Sequence, residues 1–255
     1  MYLRLNLGFA FLTLAFVGCF YQEPEPGAPT KSQTKSEGPK PAKTLGVETR
    51  KAQLGKGVWL ETAGRKRRVL VDASVCMREG SYGLECLLCR HGTKEHESIL
   101  HTDSDAELIH AGLLAAGANP GSPVRYKETK DGYETIPPTG STIKVTLEYE
   151  DKGRKISVPA QHWIRNDKTH KEMEGNWVFA GSMFLENPEN KKKPVYAATP
   201  EGSYICTSNV TTALLDLPIK SPRAIEARSF EPFTEHIPPE DTKVTIILES
   251  AAEKK

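Results

Sequence analysis

The stretch Val69-Leu70-Val71-Asp72-Ala73-Ser74-Val75-Cys76-Met77 decides how this chain is read. Val69, Val71, Ala73, Val75 and Met77 are apolar and recur every second residue, so a strand would carry them on one face. Asp72 and Ser74 fall on the other. Arg78-Glu79-Gly80-Ser81-Tyr82-Gly83 then reads as a turn, and residues 84–90 read as the returning strand of a hairpin.

Outward from this hairpin the pattern is one of short strands. Val58-Trp59-Leu60 precedes a turn at Ala63-Gly64, and Ser98-Ile99-Leu100 follows the hairpin. Strands are expected at 143–149 and 155–158, joined by Glu150-Asp151-Lys152-Gly153. Others are expected at 177–185, at 195–197, at 203–207 beyond the turn Pro200-Glu201-Gly202, and at 244–248. Residues 210–215 suggest a short helix. One longer helix is signalled by Ser104-Asp105-Ala106-Glu107, the spacing of a capping box, in which Ser104 accepts an orphan N–H and Glu107 reaches back. Leu108, Ile109, Leu113, Leu114 and Ala116 give it an apolar face, and Gly117 can end it. The expected fold class is therefore α+β: a strand-rich mixed or antiparallel sheet with one main helix over about 104–117 and short helical turns. One domain over residues 54–250 is the simplest organisation, with residues 251–255 as a disordered tail.

The amino terminus carries an address. Arg4 and the terminal amine precede an apolar run from Leu5 to Val17, too short and too interrupted by Asn6 to span a bilayer comfortably. Residues 1–18 read as a signal peptide. Phe16-Val17-Gly18-Cys19 resembles the lipobox of bacterial lipoproteins, in which the cysteine thiol is acylated before cleavage. Phe16 stands where leucine is commonest in that motif. No Asp follows Cys19, which in enteric lipoproteins favours the outer membrane. Plain secretion and an uncleaved anchor are the alternatives. Residues 19–53, with Pro24, Pro26, Pro29, Pro41 and many Lys and Ser, lack the apolar residues needed to offset ordering entropy, and read as a disordered tether behind the lipidated Cys19. The expected location is the cell envelope, lipid-anchored and facing the periplasm or exterior. The membrane is engaged through the lipid, and a further protein or small-molecule partner is left unspecified. A formal net charge of +1 over 255 residues argues against a dedicated nucleic-acid binder. The basic runs Arg65-Lys66-Arg67-Arg68 and Lys191-Lys192-Lys193 read as solvated hairpin tips.

The block Gly92-Thr93-Lys94-Glu95-His96-Glu97-Ser98-Ile99, continued by Ile109-His110-Ala111-Gly112-Leu113-Leu114 and Gly117-Ala118-Asn119-Pro120-Gly121, resembles the YdjY-domain family. Trp177-Val178-Phe179-Ala180-Gly181-Ser182, Ser208-Asn209 and Leu215-Asp216-Leu217-Pro218 are similar to it too. The Lys-x-His-Glu-Ser piece at 94–98 is the most specific part. The resemblance implies an exported bacterial domain and no particular activity. Some members carry a ferredoxin-type label, so the cysteines matter.

Besides Cys19 there are Cys76, Cys86, Cys89 and Cys206. A ferredoxin run brings four thiolates to one cluster through closely repeated cysteines. Only Cys86-Leu87-Leu88-Cys89 has such spacing, and nothing continues it, which disfavours an iron–sulfur or redox carrier. A disulfide suits an exported chain. Strand parity in the expected hairpin puts Cys76 on the face of Cys89, not of Cys86, so Cys76–Cys89 is the pairing the pattern allows. Four reduced cysteines is the rival. Cys206 is either another buried thiol or a partner for Cys86.

His91, His96, His101 and His110 fall within twenty residues, among Glu95, Glu97, Asp103 and Asp105. Imidazole and carboxylate are ligand types for zinc or iron. The candidate ligand or metal residues are His91, Glu95, His96, Glu97 and His162. The structural alternative is a polar loop whose histidines satisfy backbone groups. No cofactor is required by the sequence, and zinc or iron is the one it could accommodate. No Gly-x-Ser-x-Gly elbow, His-Glu-x-x-His helix or phosphate loop is present. The leading expectation is a lipid-anchored binding or interaction module rather than an enzyme. The alternatives are a metal-dependent envelope enzyme built on His96 and Glu97, and the redox carrier.

Overall fold

The computed structural model describes residues 48–80, 83–130, 132–187, 190–221 and 229–251. The expected signal peptide, Cys19, the tether up to residue 47 and tail residues 252–255 lie outside the described residues.

Eight strands close into a barrel. In order around it they are β3 (Lys66–Val75), β17 (Lys243–Ser250), β8 (Thr142–Asp151), β11 (Trp177–Phe179), β15 (Leu215–Asp216), β14 (Ile205–Cys206), β4 (Cys86–Arg90) and β5 (Ser98–Thr102). Closure comes from β5 pairing back onto β3 at Ser74↔His101 and Val75↔Leu100. Neighbours are antiparallel except β14–β15 and β4–β5, which are parallel. Two flaps extend the wall. β1 (Thr49–Gly55) and β2 (Val58–Ala63) add to the first half of β3, and β9 (Arg154–Pro159) adds to β8. Three small ribbons sit outside: β6 (Arg125–Thr129) with β7 (Gly132–Ile136), β10 (Ile164–Asn166) with β16 (Phe230–Pro232), and β12 (Phe184–Leu185) with β13 (Val195–Tyr196).

The alternation read at 69–77 fills this barrel, and β8 and β17 repeat it. Val69, Val71, Ala73 and Val75 on β3, Ile143, Val145 and Leu147 on β8, and Val244, Ile246 and Leu248 on β17 all enter one core. An eight-stranded barrel is just wide enough to be filled by its own side chains. Each of the larger ones contributes about 1.5–3 kcal/mol by leaving water. Trp177 is fully buried and donates its Nε1 hydrogen to the Cys206 carbonyl at 2.8 Å, tying β11 across to β14.

The architecture corrects the α+β expectation. The fold is a closed β-barrel, and α1 (Ala106–Ala115) is an accessory packed against β2 and β3 through Ile109 and Leu113. The other α-helix among the described residues, α2 (Ala198–Glu201), is a single turn. The reason is non-local pairing: β17 lies between β3 and β8, and β5 seals the cylinder, neither of which a local pattern dictates. The expected hairpin of 69–77 with 84–90 is also corrected, because β5 lies between β3 and β4 and pairs with both. The capping box does not form either. Asp105 is the N-cap, without a side-chain cap, while the Ser104 hydroxyl is 3.1 Å from that of Thr102 and Glu107 accepts the Thr199 hydroxyl at 2.6 Å. Gly117, at φ +93°, does end α1, and the Ala118 N–H returns to the Leu113 carbonyl at 3.0 Å. Residues 210–215 form a turn into β15 instead of a helix. The first described strand, β1, begins at Thr49, inside the stretch read as tether. No helix among the described residues is long and apolar enough to cross a membrane.

Candidate metal centre

The site grows out of the β4–β5 crossover. Because these strands run parallel, with Cys89 beside His101, the connecting residues 91–97 must travel back along the strands. Gly92, at φ +76°, makes the first bend, and a 3-10 turn over Glu95–Glu97 makes the last. The path leaves His91 at the exit of β4 and brings Glu95 against His101 of β5.

Three ligand atoms converge there. One Glu95 carboxylate oxygen, Oε1, is hydrogen-bonded to His101 Nδ1, and His91 Nε2 lies 3.8 Å from the same oxygen. The ligand atoms of His91, Glu95 and His101 all lie within 4.8 Å of one another. The two imidazole rings are 4.6 Å apart and tilted by 44°. His91 Nδ1 sits 3.0 Å from Asp103 Oδ1, and Lys56 Nζ sits 3.0 Å from Asp103 Oδ2. The hydrogen bonds from Lys56 and His91 hold the Asp103 carboxyl below its usual range. An ionised carboxylate only accepts, so His91 donates from Nδ1 to Asp103, and Nε2 is the ring nitrogen that faces Glu95. A carboxylate behind a ligating imidazole is the arrangement that orients histidines on metals.

Two imidazoles and a carboxylate are the donor set of catalytic-type zinc or non-haem iron sites, with bonds of about 2.0–2.2 Å and a remaining open position. His91 and His101 line a groove of about 820 Å³ on the outer face of β3, β17 and β8, walled also by Lys56, Asp72, Glu148 and Lys243.

The sequence candidates separate in space. His91 and Glu95 come together, and His101 completes the set. His96 stands apart: its side chain is 77% exposed, and its nearest acidic neighbour is Glu97 at 4.0 Å. Glu97 is largely covered and belongs to neither histidine–glutamate cluster. His162 lies in a second cluster, 2.7 Å from Glu172 and stacked on His236 at 3.9 Å and 8°. That geometry is poorer for a metal. Ligating lone pairs lie in the ring plane, and two nearly parallel planes share no nearby point. His236 is further held by Phe233, stacked at 3.9 Å, and by the His162 carbonyl at 2.7 Å. The candidate set read from sequence left out His101, Asp103, Glu172 and His236. The first two lay within the histidine-rich stretch. Glu172 comes to His162 through the local return of the chain that bridges Arg165 to Glu172, and His236 through the β10–β16 pairing.

The four cysteines among the described residues are free thiols standing as two pairs. Cys76 and Cys89 are within hydrogen-bonding reach across the end of β5, and Cys76 also donates to the Ser98 carbonyl at 3.2 Å. Contact with Cys89, reinforced by burial, pushes the Cys76 thiol up, and the hydrogen bond from Cys76 draws Cys89 down. They meet although β3 and β4 are not neighbours, so direct cross-strand opposition is not what brings them together. Cys86 and Cys206 face each other on β4 and β14.

The YdjY domain family model matches residues 60–249. The chain belongs to the YdjY domain family. No curated protein and no solved structure matches it. In this YdjY domain the family-like residues mostly hold the barrel. Lys94 forms an ion pair with Glu85 and donates to Ser203 Oγ at 3.2 Å, and the buried Ser98 hydroxyl donates to the Leu100 carbonyl at 2.8 Å. Asn209 donates to the Leu217 carbonyl at 2.9 Å. The Asp216 carboxyl accepts the N–H groups of Val210 at 3.2 Å and Leu217 at 2.8 Å, and burial pushes it up to about 8 despite those donors.

Proposed function

We propose that this YdjY domain is a metal-binding module of the cell envelope, tethered by a lipid on Cys19, and that His91, Glu95 and His101 hold a zinc- or iron-type divalent ion. The observation that carries the reading is the convergence of two imidazole nitrogens on one Glu95 oxygen, with Asp103 orienting His91 from behind. A bound ion would take the place of the Glu95–His101 hydrogen bond, with Glu95 and His101 Nδ1 as its ligands and the His101 proton carried on Nε2. The remaining coordination position is reached from the groove, where a small anionic ligand or a protein carboxylate could complete the sphere.

Equilibrium dialysis of the metal-stripped, detergent-solubilised full-length protein against zinc tests this. One ion per chain is expected for the wild type, with the site lost in His101→Ala. Equal zinc uptake by both proteins contradicts the reading. The address is supported by the apolar leader, Cys19 and the polar stretch behind it, and the outer membrane is the favoured destination. Mass spectrometry of protein taken from native membranes is expected to find Cys19 acylated at the mature terminus, and an unmodified Cys19 thiol there removes the anchor. A Cys76–Cys89 disulfide is part of the same proposal, supported by the contact between the two thiols.

A further inference from the structure

The barrel wall is thinnest where β14 and β15 complete it. Each is two residues long, and the β14–β4 pairing carries an irregularity between Ile205 and Cys206. At that point Cys206 is in register with Cys86, and the two sulfur atoms are 3.5 Å apart. Both side chains are fully buried and, with Ala213, form an apolar cluster separate from the main core. Residues in register on antiparallel strands have Cα atoms about 4.5–5.5 Å apart, inside the span a disulfide needs. Closing the bond to about 2.05 Å asks only for side-chain rotation with a small shift of the strands.

We propose that Cys86 and Cys206 are joined by a disulfide that staples the wall across the β4–β14 seam and links positions 120 residues apart. The oxidant is an external disulfide, small-molecule or protein. One cysteine thiolate attacks it, forming a mixed disulfide and releasing one thiol. The second cysteine then displaces the other thiol. Two cysteine thiols and one external disulfide become the Cys86–Cys206 bond and two external thiols, which carry away both protons and both electrons. Once the wall has closed, neither sulfur is accessible. Cys206 eases the ionisation of Cys86, but burial and Glu85 outweigh it, and burial raises Cys206 further. The exchange therefore belongs to folding, before β14 docks, and the finished bond resists reductants that do not unfold the barrel.

This inference rests neither on the metal centre nor on the lipid, since the oxidant is supplied in the test. Cys86 and Cys89 both lie between Arg78 and Arg90, so tryptic mapping is done in the full-length Cys89→Ser chain. The chain is refolded with oxidised and reduced glutathione, its free thiols are alkylated in denaturant, and it is digested without reductant. The expected result is a linked peptide pair containing Cys86 and Cys206, together with a lower unfolding temperature in Cys206→Ser. Should refolding yields be poor, the same mapping on protein exported from cells reads the same bond. Alkyl label on Cys206 in protein with a native circular dichroism spectrum overturns the proposal, and so does a bond from Cys86 to any other cysteine.

Discussion

Asp103 approaches His91 at 3.0 Å on the side of the ring facing away from Glu95. The carboxylate fixes the tautomer and the tilt of an imidazole that would otherwise rotate freely at a half-exposed surface. Removing such an orienting carboxylate weakens metal affinity by about 10–100-fold. Asp103→Ala is therefore expected to bind zinc about 10–100-fold more weakly in a competition titration with a chelating dye. Its unfolding temperature should scarcely change, because Asp103 is itself 54% exposed.

His96 is the control for that titration. It belongs to the most family-specific stretch of sequence, yet its ring points to solvent, clear of Glu95 and His101. His96→Ala should bind zinc as the wild type does, while His91→Ala weakens binding sharply. A loss in His96→Ala equal to that in His91→Ala would move the site to the His96–Glu97 segment.

Asp216 sets a pH dependence of stability. Its carboxyl titrates at about 8 when folded against an ordinary value of 3.8 when unfolded, chiefly because it is buried. The folded state thus holds the proton more tightly. The associated stability is fully present below about pH 4 and is lost as pH rises through about 8. Denaturant unfolding should show a fall on the order of a few kcal/mol across that span. Asp216→Asn should show a shallower slope, from a lower starting stability because one backbone N–H loses its acceptor.

Gly140 is expected to tolerate no side chain. Its φ is +137°, and a Cβ there would lie 2.1 Å from the Phe179 carbonyl oxygen, which is backbone and cannot move aside. Gly140→Ala combines strain of about 1–3 kcal/mol with a clash at the β11 exit. A drop in unfolding temperature of about 5–10 °C follows for a domain of this size. Gly92→Ala is the comparison: a similar conformational penalty with no atom within 4 Å should cost less.

The two-residue period at 69–77 and the strands at 143–149 and 244–248 were legible because those strands are long and face one core. They are β3, β8 and β17, three adjacent staves of the barrel. Closure was not legible. It depends on Ser74 meeting His101 and on two-residue strands such as β14 and β15, whose conformation is imposed by their neighbours rather than by any pattern of their own. The same parallel β4–β5 register hid half of the metal centre. His91 and Glu95 stand out as sequence neighbours of suitable type. His101 joins them only because the crossover doubles back, and reading 84–90 as the return of a hairpin onto 69–77 left no room between those strands for the one expected at 98–100. His96 has the right chemistry, and the 3-10 turn that aims Glu95 inward aims it outward.

Zinc-edge X-ray absorption on the full-length protein loaded with one equivalent of zinc tests the central claim most directly. The account predicts a nitrogen and oxygen shell at about 2.0–2.1 Å with the outer scattering of two imidazoles. A shell dominated by sulfur at about 2.3 Å would place the ion on the cysteines and contradict it.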